Sequence, residues 1–210
     1  MRVLVACEES QTVCNAFREL GHEAYSCDIQ PCSGGHPEWH IQDDVLNHIN
    51  DNWDLIIAHP PCTYMSKAGA RWLYAGGEIN QDRFKQGLEA KEFFMKLYNA
   101  NARYIAVENP MPMKIFNLPK PDCIIQPYEF GHAYSKKTYL WLKNLPPLMP
   151  TEIITNFKPY LPSNVTGKRK GQKYSYGVVH SSKEASKTFK GIAEAMATQW
   201  GLIEAQNGRE

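Results

Sequence analysis

Apolar residues in this chain fall into short continuous blocks separated by longer stretches at helical spacing. Arg2 to Ala6 is a brief run of strand-forming residues, and Gln11 to Leu20 then places Val13, Phe17 and Leu20 one helical turn apart before Gly21. Glu23 to Cys27 reads as a second strand closing on Asp28, and Val45 to Asn50 as a short helix. Trp53 to Ala58 is a third strand, apolar enough to be central and covered on both faces. Ile79 to Ala102 is the longest helical pattern, with Phe84, Leu88, Phe94 and Leu97 facing inward. Tyr104 to Val107 follows as a fourth strand. Beyond it, Pro112, Pro119, Pro121 and Pro127 interrupt the chain until Thr138 to Lys143 predicts another strand. Glu184 to Trp200 closes the pattern as a helix carrying Phe189, Ile192, Ala193, Met196 and Trp200 on one side.

Strands alternating with helices predict an α/β fold, an open and mostly parallel sheet with helices on both faces. Such sheets bind ligands beyond the C-terminal ends of their strands. Glu8, Asp28, Cys62 and Glu108 all follow or end a predicted strand, so they converge on that edge. A length of 210 residues suits one domain, 1–210, in which 144–180 is a small loop-rich lobe of proline, glycine and basic residues. No internal repeat or low-complexity tract interrupts it.

Composition narrows the classes. With 43% hydrophobic and 21% charged residues the chain buries a core and is not of the disordered type. No apolar run is long enough for a membrane span, and the N-terminal residues lack the pattern of a secretory signal. The expectation is a cytoplasmic protein whose six cysteines are reduced. The formal net charge of +1 decides little, but its distribution is uneven. Lys136 and Lys137, then Lys168, Arg169, Lys170 and Lys173, then Lys183, Lys187 and Lys190 gather late in the chain, with Tyr174 and Tyr176 between them. That pattern fits a solvated face or a surface for a polyanion. Cys27, Cys32, His36 and His40 are zinc-ligand types at tolerable spacing. Two glycines and a proline around His36 keep the histidines off one regular helix face, and no metal is expected.

The stretch Leu55 to Ser66, LIIAHPPCTYMS, puts a thiol directly after two prolines at a strand end. Both prolines have fixed φ and no backbone donor, so the thiol sits on a rigid loop. A thiolate there, favoured by electropositive surroundings, is a nucleophile for carbon 6 of a pyrimidine. Glu108 at the next strand end is placed to hydrogen-bond or protonate ring nitrogen 3, which near neutral pH calls for a raised pKa. Carbon 5, made electron-rich by the addition, can then attack an electrophilic methyl group.

Pro60-Pro61-Cys62 after one strand, Glu108-Asn109-Pro110 after the next and Lys136-Lys137-Thr138 before another resemble the ordered motifs of DNA cytosine-5 methyltransferases, from Val3 to Trp200. The resemblance is to a compact, phage-type relative and implies a Rossmann-like S-adenosylmethionine-dependent methyltransferase fold. By resemblance Cys62 is the nucleophile, Glu108 the ring-nitrogen partner, Asn109 the residue ordering the nucleophile's loop and Lys137 the basic residue near the target. S-adenosylmethionine is the implied cofactor, held by Ala6, Cys7, Glu8, Glu9 and Ser10, by Asp28 on the ribose with Ile29, by Asp44 near the adenine with Val45, and by Pro60. DNA is the implied partner, contacted by Pro61, Ser66, Trp72, Lys136, Thr138, Lys168, Arg169 and Lys170. The loop Thr63 to Gly77 would close over a flipped base. The chain departs from the family twice. Cys7 and Glu9 stand where the first motif has glycines, and only a short region separates the basic motif from the final helix. A free nucleotide, single-stranded DNA or RNA therefore remains an alternative substrate, as does an inactive nucleic-acid-binding role.

Overall fold

The computed structural model describes residues 1–74, 77–156 and 187–203. In chain order the strands are β1 (Arg2–Ala6), β2 (Glu23–Asp28), β3 (His40–Gln42), β4 (Leu55–Ala58), β5 (Tyr104–Asn109), β6 (Cys123–Ile125) and β7 (Thr138–Lys143). The helices are α1 (Thr12–Glu19), α2 (Ala70–Leu73), α3 (Gln81–Tyr98) and α4 (Lys190–Trp200). The strands form one sheet in the order β3-β2-β1-β4-β5-β7-β6. Strands β1 to β5 are mutually parallel, and β7 runs antiparallel to both β5 and β6. This is the expected α/β architecture, an open and mostly parallel Rossmann-like sheet with helices on both faces, with ligand-binding space at the C-terminal strand edge.

Period-two alternation divides the core into two layers. Val3, Val5, Leu55, Ile57, Ala106 and Leu140 face Phe17 of α1 and Ile192, Met196 and Trp200 of α4. Leu4, Ala6, Ile56, Ala58, Ile105 and Trp141 face Phe94 and Leu97 of α3 together with Phe116. Every residue of β4 is buried, as a central strand covered on both faces requires. Burial of each such large side chain contributes about 1.5–3 kcal/mol, so the middle of the sheet is firmly held.

The differences from the sequence reading are local. Leu20 is half-exposed as the C-cap of α1, and Gly21 ends the helix at φ 82°. The short helix expected over Val45 to Asn50 is a single 3-10 turn, Val45–Asn47, begun by the Asp44 side chain accepting from the Leu46 N–H. Leu88 is exposed rather than inward, because bare Gly87 takes the inner face and the Phe116 ring fills the space where its Cβ would be. Helix α3 is shorter than predicted at both ends, its start fixed by the Asn80 side chain accepting from the Arg83 N–H. Helix α4 begins at Lys190 rather than at Glu184; residues 184–186 lie outside the described residues. Strands β3 and β6 were not predicted, since three residues at a sheet edge are too few to show alternation.

Of the expected lobe 144–180, residues 144–156 are described and 157–180 are not. The described part docks on α4: the Trp200 indole N–H donates to the Pro146 carbonyl at 3.1 Å, and the Gln199 side chain bonds both the N–H and the carbonyl of Met149 at 2.8 Å. No helix among the described residues is long and apolar enough to cross a membrane.

Candidate active site

The first loop of the site follows β1. Cys7 adopts the left-handed φ of 61° that glycine takes without strain, and its N–H donates to the Cys27 carbonyl at 2.7 Å. The turn that this forces points Glu8 back at the start of α1. There its carboxylate accepts from the Val13 N–H at 2.8 Å and the Cys14 N–H at 3.2 Å. A carboxyl group thus already occupies the N–H groups at the start of α1, where a dinucleotide-binding protein would place a phosphate, and burial pushes its pKa up against the pull of His59 and of those two N–H groups. Glu9 is tied to Ser33 through its side chain and, at 2.8 Å, through its carbonyl. Asp28 ends β2, and its Oδ1 accepts from the Gln30 N–H at 2.9 Å.

The second half of the site joins the ends of β4 and β5. The His59 N–H donates to the Ala6 carbonyl at 2.9 Å, carrying strand pairing one residue beyond β4. Its ring lies between the strands, with Nδ1 2.8 Å from Oε2 of Glu108 and both side chains nearly buried. Asn109 is buried and its Nδ2 donates to the Pro60 carbonyl at 3.1 Å. The loops after Cys62 and after Asn109 are also stitched by backbone bonds, Lys67 N–H to Met111 carbonyl at 3.1 Å and Met113 N–H to Met65 carbonyl at 2.7 Å. The chain reverses at Cys62, whose carbonyl accepts from the Ser66 N–H at 2.9 Å. Cys62 therefore sits on a loop anchored at both ends.

A cavity of about 630 Å³ opens along this edge. Among the predicted residues, Cys7, Glu8, Glu9, Ser10 and Asp28 line one part, and Pro60, Pro61, Cys62, Glu108 and Lys136 line the other. Other predicted residues lie off its wall. Ala6 and Val45 belong to the core, Asn109 and Ser66 are buried behind the loop, and Thr138 is buried in β7. Ile29, Asp44, Trp72 and Lys137 are exposed on the surface. Lys168, Arg169 and Lys170 lie outside the described residues. The sequence reading missed His59, which also lines the cavity. The available signal was a titratable ring ending an otherwise apolar run, just before two prolines and a cysteine.

Electrostatics separate the two cavity thiols. Burial pushes the Cys7 thiol far up, with Asp28, Cys27 and Asp44 adding to the effect, so it stays protonated. Burial and the charge of Glu108 also raise Cys62, against the opposing pull of Lys136 and a hydrogen bond from Ser66. The electropositive setting expected for Cys62 is thus only partly provided. Glu108 departs from the raised value expected for it. Burial pushes it up, but the hydrogen bond and charge of His59, with Lys136 beyond, bring it below the usual carboxylate range. His59 goes the other way: burial opposes its charge, and Glu108 and then Glu8 more than offset that, so its pKa rises.

The four zinc-ligand types are engaged separately. The Cys27 thiol donates to the Asp43 carbonyl and the Cys32 thiol to Oε1 of Gln11, while His36 stacks on Trp39 and His40 lies 2.8 Å from the Ser26 hydroxyl. No group of three or more metal-ligating side chains occurs among the described residues.

No family model matches this chain, and no curated protein matches it. Among solved structures it is similar to the methyltransferase EhMeth of Entamoeba histolytica, at 16% identity and a TM-score of 0.46 over 73% of this chain and 57% of that one. It is also similar to the Dnmt2 methyltransferase of S. pombe, at 15% identity and a TM-score of 0.42 over 68% and 48% of the two chains. A mutant DNMT2 of Spodoptera frugiperda matches at 16% identity and a TM-score of 0.40, over 75% and 56%. The chain spans about half the length of these structures.

Proposed function

We propose that this chain is an S-adenosylmethionine-dependent DNA cytosine-5 methyltransferase. The observation that carries the reading is one cavity lined by a rigidly held thiol, a carboxylate on the adjacent strand end and, at its far side, the carboxylate ending β2. The residues suit the cofactor: Asp28 offers an acceptor for ribose hydroxyls, and Glu8 and Glu9 suit a ligand bearing a sulfonium and an ammonium. Glu8 at the start of α1 disfavours a phosphate there, which argues against a dinucleotide. When bound, S-adenosylmethionine supplies a methyl group activated by its positively charged sulfur.

The chain's own residues perform the rest. Cys62 gives its proton to solvent and its sulfur bonds to carbon 6 of cytosine. Glu108, ionised in the free protein, takes up a proton from solvent as the base binds, holds ring nitrogen 3 and passes that proton there as electron density moves onto the ring. Carbon 5 takes the methyl group, the carbon 5 proton leaves to a base, and the bond between Cys62 and carbon 6 breaks to restore aromaticity. Asn109 fixes the loop through Pro60. Lys136 and Lys137 approach the target's phosphate, and residues 144–180 serve as a reduced recognition lobe. Since only Asn144 to Phe189 separates β7 from α4, a smaller pyrimidine substrate, either a free nucleotide or a single strand, is the second reading.

Oligonucleotides carrying 5-fluorocytosine test this directly, because fluorine at carbon 5 cannot leave as a proton and the covalent complex accumulates. The expected result is a denaturation-resistant adduct that needs S-adenosylmethionine and disappears in Cys62→Ala. An adduct that survives the substitution removes Cys62 from the mechanism. Absence of S-adenosylmethionine binding by calorimetry would overturn the proposal as a whole.

A further inference from the structure

Among the described residues Glu108 makes a single hydrogen bond, its Oε2 accepting from the Nδ1–H of His59 at 2.8 Å, leaving Oε1 as the oxygen available to a substrate. The pair is nearly buried, with the His59 and Glu108 side chains 11% and 13% exposed. A buried carboxylate with no cation beside it would be strongly destabilising or would take up a proton. His59 is fixed in turn, its backbone bonded to Ala6 and its chain direction set by Pro60 and Pro61. Among the described residues its Nε2 is buried without a hydrogen-bond partner, a costly arrangement for a residue that served only to fill space.

From this geometry, and resting on the reading above, we infer that His59 is the positioning residue for Glu108. It occupies Oε2 and so presents Oε1 to ring nitrogen 3. The charged groups facing His59 are Glu108 from β5, Glu8 from the loop after β1 and Lys136 from the segment before β7. The hydrogen bond and charge of Glu108 outweigh the opposing Lys136 and favour the imidazolium. Beside His59 the free Glu108 is a carboxylate, which takes up a proton from solvent as the base binds; His59 compensates that carboxylate again once the proton has passed to the ring, making Glu108 a stronger acid for that step. No atom of His59 enters the bonds made or broken. The proton passes from Glu108 to nitrogen 3, and His59 keeps its own.

Methyl transfer to DNA, measured across pH for the wild type, His59→Asn, His59→Leu, Glu108→Gln and the double variant His59→Leu/Glu108→Gln, tests this. His59→Asn retains a donor near the Nδ1 position without the charge. It is expected to fold, to keep KM for S-adenosylmethionine within about twofold and to lose about tenfold in kcat, with the alkaline limb of its pH profile, where Glu108 loses the proton it donates, displaced upward. His59→Leu is expected to lose at least about a hundredfold, and adding Glu108→Gln to it should cost little more, because the two residues act as a unit. A folded His59→Asn with wild-type kcat and pH profile would overturn the inference, as would losses that simply add in the double variant. An inactive wild type that binds no S-adenosylmethionine overturns the proposed function itself, a different result from an active enzyme indifferent to residue 59.

Discussion

His59 and Glu108 hold opposite charges in a buried place, and their pH behaviour follows from the sign of each shift. Glu108 is depressed, so its contribution to stability is complete above the ordinary carboxylate value and is lost as pH falls through its folded value. His59 is raised, so its contribution is complete below the ordinary histidine value and is lost as pH rises through its folded value. The pair is therefore fully in place between those two ordinary values. Thermal denaturation of the wild type and of the double variant His59→Asn/Glu108→Gln at a series of pH values checks this. The difference in Tm should shift most toward the wild type within that window and decline on both sides; a flat difference would mean that the pair is not ionised. The sequence made Cys62 and Glu108 legible, because proline and strand context mark them. It left His59 unread because its partner lies 49 residues away and only the sheet brings them together.

At the scale of elements, close approach decides more than propensity. The Gly191 N–H donates to Nε2 of His132 at 2.9 Å, and a Cβ on Gly191 would collide with the Phe130 carbonyl oxygen. Gly191→Ala is expected to push the start of α4 away and to cost about 1–3 kcal/mol, read from chemical denaturation. Unchanged stability would mean that α4 is not seated as described. Strands β1 and β7 were readable to the residue because each is a dense apolar run inside the sheet. Strands β3 and β6 were not, being short and at the edges. The inner face of α3 was misread at Leu88 because a helical wheel counts apolar residues, whereas here a missing side chain at Gly87 makes room for Phe116.

For the whole molecule, parallel pairing is what turns four separate strand ends into one cavity. The C-terminal ends of β1, β2, β4 and β5 share an edge, so Glu8, Asp28, Cys62 and Glu108 meet although the chain separates them widely. That convergence was legible from alternation alone, whereas the ionisation of its members was not, since it depends on burial and on distances across the sheet. Asp28→Ala is expected to weaken S-adenosylmethionine binding by about tenfold while leaving the fold intact, as calorimetry beside circular dichroism would report. Neutralising Lys168, Arg169, Lys170 and Lys173 is expected to weaken DNA binding and to flatten its dependence on salt, by roughly 0.9 in the log–log slope for each phosphate that the cluster no longer neutralises. An unchanged slope would return that cluster to an ordinary solvated face. Most direct of all is mass spectrometry of nucleosides from DNA incubated with S-adenosylmethionine and either the wild type or Cys62→Ala. The account predicts 5-methylcytosine with the intact thiol and none without it. Equal 5-methylcytosine from both proteins, or none from the wild type, would contradict it.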